Sequence, residues 1–434
     1  MRIALIGPAH PYKGGGARHT TELAHRLAAA GHDVVIESWR AQYPRRLYPG
    51  QQTLDGPEGE PYRRTYHRLA WYRPGGWLAA GRRLRSADLV ILALLTPLQV
   101  PSYLAILAGL GRRPGCPRTV VICHNVLPHE RRPGDVALTG TLLSRVDRAL
   151  VHSAAQAAEA RNLAPGVPIV IARMPPHLPA AVPALPAGGR EDHLPERAVV
   201  HPPGRVPGRR SLSAQRAGHH RDDGPAPAEN RRVARPKPGE RPCRLLFFGI
   251  VRPYKGLDVL LRALARAPRH VTLTVAGEFW GGTGETEKLI AELGLANRVT
   301  LRPGYVPARE IPALFGAADA LVLPYREATA SQNALLAFAF GVPVITTTAG
   351  ALSEAVRDGV DGLTCAPGDV DDLARALKAI SVPETAARLR SGVRACDPEP
   401  CWSAYLQALL PGGRLCYPRG TTPGSPATGG IPSP

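Results

Sequence analysis

Aromatic residues are scarce in this chain, at 5% of 434 positions. So thin a supply argues against the base-stacking surface of a single-stranded nucleic-acid binder. Zinc-finger spacing, an RNP-type aromatic motif and a helix-turn-helix signature are also missing, so no nucleic-acid partner is expected. Cysteines are few and scattered: Cys116, Cys123, Cys243, Cys365, Cys396, Cys401 and Cys416. Their odd number and the lack of a C-x-x-C pair argue against a zinc site or a disulfide framework, and fit a reducing cytoplasm. Long apolar runs are lacking too. The opening M-R-I-A-L-I-G-P is too short for a signal peptide. Residues 89–110 are largely apolar, but Pro97, Gln99 and Pro101 interrupt them, whereas a spanning helix needs about 20 unbroken apolar residues. They read as a buried strand over 89–94, a loop, and a buried helix from about Ser102. Acidic charge is in deficit, with 54 Lys and Arg against 35 Asp and Glu and a net charge of +19. That balance favours anionic partners such as phosphorylated substrates or an acidic membrane surface.

What is present is a repeated alternation. Apolar runs at 2–6, 34–36, 89–94, 120–123 and 149–152 read as strands, and Leu23, Leu27 and Ala28 mark a helix that ends at Gly31. The second half repeats the scheme, with strands at 245–248, 271–276, 299–301, 320–323 and 344–346. Helices at 257–265, 286–293, 311–317, 334–340 and 371–380 separate or follow them. Strands alternating with helices imply parallel, doubly wound sheets, and the length suits two domains. The fold class is therefore α/β, with two Rossmann-like doubly wound domains facing across a cleft. The expected organisation is an N-terminal domain over 1–178, a linker over 179–241, a C-terminal domain over 242–395 and a terminal segment with a low-complexity tail over 396–434. The linker, rich in Pro, Arg, Gly and His, lacks the apolar periodicity of a core-forming segment. GC-rich DNA read out of frame would give the same composition, which resequencing the locus would reveal.

Ligands of open parallel sheets bind at the carboxyl ends of the strands. In F-F-G-I-V-R-P-Y-K-G-L-D the strand ends at Gly249, a loop carries Arg252 and Lys255, and a helix starts near Gly256. Two cations beside a helix N-terminus form a cradle for phosphate. Arg252 can fork onto phosphate oxygens and Lys255 offers a point charge; as residues alone, the pair equally suits two solvated loop cations. The run Lys13-Gly14-Gly15-Gly16 is a tight strand-to-helix turn that also lets a ligand approach the backbone closely. His124 ends a strand, as a contact to substrate or as a structural histidine. His129 and Glu130 follow it in N-V-L-P-H-E, but a metal site there is not expected. His152 and His177 read as structural or linker-facing.

Five segments occur in order: R-P-Y-K-G-L-D from Arg252, V-A-G-E-F from Val275, Y-V-P from Tyr305, A-D-A-L-V-L-P-Y from Ala318 and G-V-P-V-I from Gly341. In this order and spacing they resemble glycosyltransferase family 4 across roughly residues 244–380. The G-G-G loop, the strand V-V-I-C-H-N and the strand end V-H-S extend the resemblance into the first half. It implies a GT-B fold and a retaining, metal-independent transfer of a sugar from a nucleotide diphosphate donor. The acceptor would be a glycan, a lipid-linked or a small molecule bound by the N-terminal domain at Gly14, Gly15 and Gly16. The C-terminal domain would bind the donor through Gly249, Arg252, Lys255, Tyr305, Val306, Glu327, Thr329 and Ser331, with Tyr305 and Val306 along the nucleobase. His124 would face the sugar as a polar or acid/base contact. No cofactor is implied, because the nucleotide sugar is a substrate. The expected location is cytoplasmic, with peripheral contact to an anionic membrane.

The chain departs from that pattern at one place. Many family members carry two glutamates before the G-x-P-V-I strand, and here Ala328 and Leu336 occupy their positions. Two readings follow. Thr329, Ser331 and the N-terminus of the next helix replace them, as in some bacterial polysaccharide transferases that read P-Y-x-S-A-T-Q-S-G at this loop. Alternatively the protein is a catalytically silent nucleotide-binding or partner module of the same fold.

Overall fold

The structure is a computed structural model that describes residues 1–44, 52–54, 56, 59–111, 115–178, 242–328 and 331–410. The expected linker, Thr329 and the low-complexity tail from Pro411 lie outside the described residues. The first half runs β1 (Arg2–Ile6), α1 (Gly15–Ala29), β2 (Asp33–Ala41), β3 (Thr65–Ala70), α2 (Pro74–Arg83), β4 (Leu89–Leu94) and α3 (Val100–Leu110). It continues through β5 (Arg118–Cys123), α4 (Asp135–Leu143), β6 (Arg148–Val151), α5 (Ala154–Leu163) and β7 (Ile169–Ile171). These strands form one parallel sheet in the order β3-β2-β1-β4-β5-β6-β7. Its central strand β4, L-V-I-L-A-L, is buried at every position, as a strand covered by helices on both faces must be.

The second half runs β8 (Cys243–Phe248), α6 (Leu257–Arg266), β9 (Val271–Gly277), α7 (Gly284–Glu292), β10 (Val299–Pro303), α8 (Ile311–Gly316) and β11 (Ala320–Leu323). Then follow α9 (Gln332–Ala339), β12 (Val344–Thr347), β13 (Gly362–Cys365), α10 (Val370–Ile380), α11 (Pro383–Gly392) and α12 (Pro398–Leu409). The second parallel sheet has the order β10-β9-β8-β11-β12-β13. Helix α6 shows why these segments fold as they do. Leu257, Leu260, Leu261 and Leu264 recur at helical spacing and are buried, while Arg262 and Arg266 face out.

The strand order reverses between β1 and β4 in one sheet and between β8 and β11 in the other. Such switch points open a crevice at the carboxyl ends of the strands. The glycine loop follows β1 and the Arg252–Lys255 loop follows β8, so both lie at these switch points. The last helix behaves unexpectedly. Trp402, Tyr405 and Leu409 of α12 are buried in the same core as Ile3, Leu5, Leu23 and Ile36, so the chain returns to cover its first half. The periodic reading assigned no structure to 398–409, and it also passed over β3, α2, α4, α5, β7, β13 and α11.

Candidate functional site

One wall of the crevice is built from the strand ends of the first half. His124 directly follows β5 and His152 directly follows β6. The Gln156 side chain ties the two ends together: its Oε1 accepts from the His152 N–H at 2.7 Å and its Nε2 donates to the His124 carbonyl at 3.1 Å. Ser153 caps α5 and thereby fixes Gln156 on its first turn. The two imidazole centroids consequently stand 5.6 Å apart. Behind them His19 bridges His177 at 3.0 Å and the Tyr405 hydroxyl at 3.1 Å. Burial, and then the neighbouring His152 and His177, hold His124 well below the ordinary histidine pKa. Burial likewise lowers His152 to about 4, against a smaller opposing effect of the Ala172 carbonyl. His177 falls to about 3 through burial and then Arg18. His19 is held well below its usual value by burial and then His124. All four rings are therefore neutral at pH 7.

The facing wall comes from the second half. Gly256 begins α6 in the left-handed region at φ +66°, and a Cβ there would meet the Pro324 carbonyl oxygen at 2.1 Å. Glycine is thus required where the loop turns into the helix. Arg326 clamps the same loop, donating to the Pro253 carbonyl at 2.9 Å and to both Asp258 oxygens at 2.8 and 2.6 Å. Lys255 is held in this turn with its Nζ over the Tyr325 ring, 5.2 Å from the centroid. Among the described residues it makes no ion pair. Helix α9 starts beside it. The Ser331 hydroxyl accepts from Asn333 N–H at 3.3 Å as the N-cap, and Asn333 Nδ2 donates to the Phe248 carbonyl at 2.9 Å. Gly249 sits against both Asn333 and Lys255. The Tyr325 hydroxyl is buried without a hydrogen-bond partner among the described residues.

Between these walls lies a cavity of about 250 Å³ whose lining includes His124, His152, Lys255, Tyr325, Ser331 and Asn333. A lone cation, a helix N-terminus, neutral imidazoles and a free phenol together offer one site for an anion and several for hydroxyl groups. Among the described residues no cluster of His, Cys, Asp and Glu is placed to hold a metal ion.

The structure therefore gathers His124, Lys255, Ser331 and, beside them, Gly249. It separates the others. Arg252 reaches across to Glu130, its Nε 3.3 Å from Oε1 and its Nη2 paired with Oε2, and stacks over Trp280 at 4.6 Å. Glu327 lies 3.7 Å from His129, which stacks on Tyr254 at 4.6 Å. Tyr305 is exposed with Lys13 Nζ 5.4 Å from its ring centroid, and Val306 is half-buried. Gly14, Gly15 and Gly16 do not line this cavity. A Cβ at Gly16 would strike the Leu95 side chain at 2.1 Å, whereas Gly14 and Gly15 face open space. Lys13 before them pairs with Glu278 of the second half, both largely buried. Leu336 packs in the core, and Ala328 lines the cavity. His152, which the sequence suggests is structural or linker-facing, lines it as well, as do Tyr254 and Tyr325, to which the sequence reading assigned no role. The only signal for His152 was its place at a strand end.

Known proteins place this chain. The family described as Glycosyltransferase Family 4 matches residues 13–175, and that described as Glycosyl transferases group 1 matches residues 242–381. A glycogen synthase of Mycobacterium tuberculosis is 36% identical over 163 residues, 36% of this chain and 38% of the relative. A D-inositol 3-phosphate glycosyltransferase of Mycobacterium marinum is 33% identical over 153 residues, 34% of this chain and 33% of the relative. The chain thus aligns with only about a third of the length of these curated relatives. In solved structures, the Anabaena protein HepE in complex with UDP and glucose superposes with a TM-score of 0.62 at 15% identity, over 94% of this chain and 99% of that one. The sucrose-phosphate synthase of Thermosynechococcus elongatus gives 0.63 at 16% identity, over 93% and 94%. The architecture is thus the GT-B fold. One match falls in each half of the chain, at residues 13–175 and 242–381, and together they show that the chain belongs to the family 4 glycosyltransferases.

Proposed function

We propose that the protein transfers a sugar from a nucleotide diphosphate donor to a hydroxyl of a glycan, lipid-linked or small-molecule acceptor, with retention and without a metal ion. The observation that carries this reading is Lys255, a cation with no ion pair among the described residues, on the wall of a crevice beside the N-terminus of α9. Lys255 and the free N–H groups of α9 take the diphosphate and stabilise the charge that grows on it as the sugar leaves. Arg252 joins them only by exchanging Glu130 for a phosphate oxygen. His124 contacts the sugar as a neutral hydrogen-bonding group, since its burial disfavours the imidazolium. Retention follows if the acceptor hydroxyl enters on the face from which the diphosphate departs. Closure of the crevice excludes water and with it donor hydrolysis. The basic charge suits approach to an anionic membrane surface where a lipid-linked acceptor would lie. No helix among the described residues is long and apolar enough to cross a membrane.

The test is incubation of the purified protein with UDP-, GDP-, ADP- and dTDP-linked hexoses, with and without acceptors, followed by assay of released nucleoside diphosphate. The UDP-glucose bound by HepE is the first donor to try. Ala328 and Leu336, where carboxylates are expected, favour a second reading as a silent nucleotide-binding module. That reading predicts nucleotide binding without release.

A further inference from the structure

The cavity holds a histidine that the proposed reaction has not yet used. The His152 Nδ1 lies 3.0 Å from the Ala172 carbonyl oxygen. A carbonyl can only accept, so Nδ1 carries the proton and donates it there. The Nε2 of the same ring is then a bare lone pair, and it is buried with no hydrogen-bond partner among the described residues. The residue is 6% exposed and lines the same cavity as Lys255. A buried acceptor left unsatisfied is costly and rare, and an acceptor-only atom complements an O–H group while repelling an anion.

We propose that His152 is a specificity-determining contact whose Nε2 accepts a hydrogen bond from a hydroxyl of the transferred sugar. This deepens the reading above and rests on it. A nucleotide sugar carries its hydroxyl-bearing ring directly beyond the diphosphate. With the diphosphate on Lys255 and α9, the ring reaches the histidine wall, where Gln156 has fixed His152 next to His124. The proton on Nδ1 makes Nε2 an acceptor in the ground state, and burial keeps the ring from becoming a donor imidazolium. Its part is therefore to select and orient the sugar.

The experiment compares wild type, His152→Gln and His152→Leu. Calorimetry measures two affinities for each: that for the tightest-binding nucleotide sugar of the four-nucleotide panel, and that for its nucleoside diphosphate. The ratio of the two isolates the sugar's contribution. In the Leu variant the ratio is expected to fall about tenfold or more, as for a lost hydrogen bond that leaves a group unpaired. The Gln variant, whose amide oxygen can take the place of Nε2, is expected to stay within about threefold of wild type by the same scale. Intact diphosphate binding with an unchanged ratio in the Leu variant overturns the proposal, as does an equal loss of both ligands. If the Leu variant does not fold, monodeoxy analogues of the sugar decide on the wild type alone. At least one must bind about tenfold more weakly than the parent, and a flat series overturns the assignment. Failure of the wild type to bind any nucleotide or nucleotide sugar removes the parent reading and this one together.

Discussion

A cluster of two buried histidines, His19 and His152, and two half-buried ones, His124 and His177, makes acid the sharpest probe of this fold. His19, His124, His152 and His177 all have their pKa lowered, chiefly by burial, with His152 near 4 and His177 near 3. In the unfolded chain each returns to the ordinary value of about 6.5. Below pH 6.5 the unfolded chain therefore binds protons that the folded chain refuses, and folding stability falls as pH falls. For His152 the loss continues from pH 6.5 down to about 4, and for His177 down to about 3. Each unit of pH inside that window removes about 1.4 kcal/mol per group, so by pH 5 each histidine has withdrawn about 2 kcal/mol. His152 and His177 together then remove about 4 kcal/mol, against a typical total stability of about 5–15 kcal/mol. His19 and His124 shift in the same direction and steepen the loss. Urea unfolding followed at pH 7, 6 and 5 should show midpoints that decline progressively. The decline should be shallower in His177→Gln, which removes one titrating ring. A midpoint that is constant or rises between pH 7 and 5 would refute the burial of neutral imidazoles in this cluster.

Other parts of the structure give further expectations. Lys13 and Glu278 form a largely buried ion pair between the halves. Lys13→Met leaves the carboxylate uncompensated and should destabilise the protein by about 3–5 kcal/mol, read as a lowered urea midpoint. The double variant Lys13→Met with Glu278→Leu should recover most of that loss, and additive losses would contradict the pairing. Trp402 is 1% exposed beneath the first half's core. Trp402→Ala should cost about 3–5 kcal/mol and increase hydrogen exchange in β1 and β2, the strands that share its core; unchanged protection there would contradict the return of α12 to the first half.

Much of this fold was legible because its strands are short apolar runs bounded by glycine and its helices bury leucines at regular spacing. The segments 2–6, 89–94 and 320–323 coincide with β1, β4 and β11. Helix α12 escaped for a physical reason. P-E-P-C-W-S-A-Y-L-Q-A-L begins with two prolines, and its apolar residues are complementary to a core that lies far away in sequence. Strand β3, T-Y-H-R-L-A, is an edge strand with alternating exposure, so its polar residues hide it. At the site, His124 and Lys255 stood out because each ends a strand or begins a helix, the places where a doubly wound sheet puts its chemistry. Arg252 had the same local signal, but its attachment to Glu130 is a contact across the crevice, which spacing along the chain does not encode. His152 shows the converse. Its tautomer depends on the Ala172 carbonyl, 20 residues away, so only the folded structure reveals a free lone pair.

The central claim is that Lys255 grips the diphosphate of a nucleotide sugar in the crevice. Titration of UDP, GDP, ADP and dTDP into wild type and Lys255→Ala tests it most directly. A hydrogen bond to a charged group contributes about 1.5–3 kcal/mol, so the best ligand should bind about 10- to 150-fold more weakly to the variant. The same affinity in both proteins, or no binding by the wild type, would contradict it.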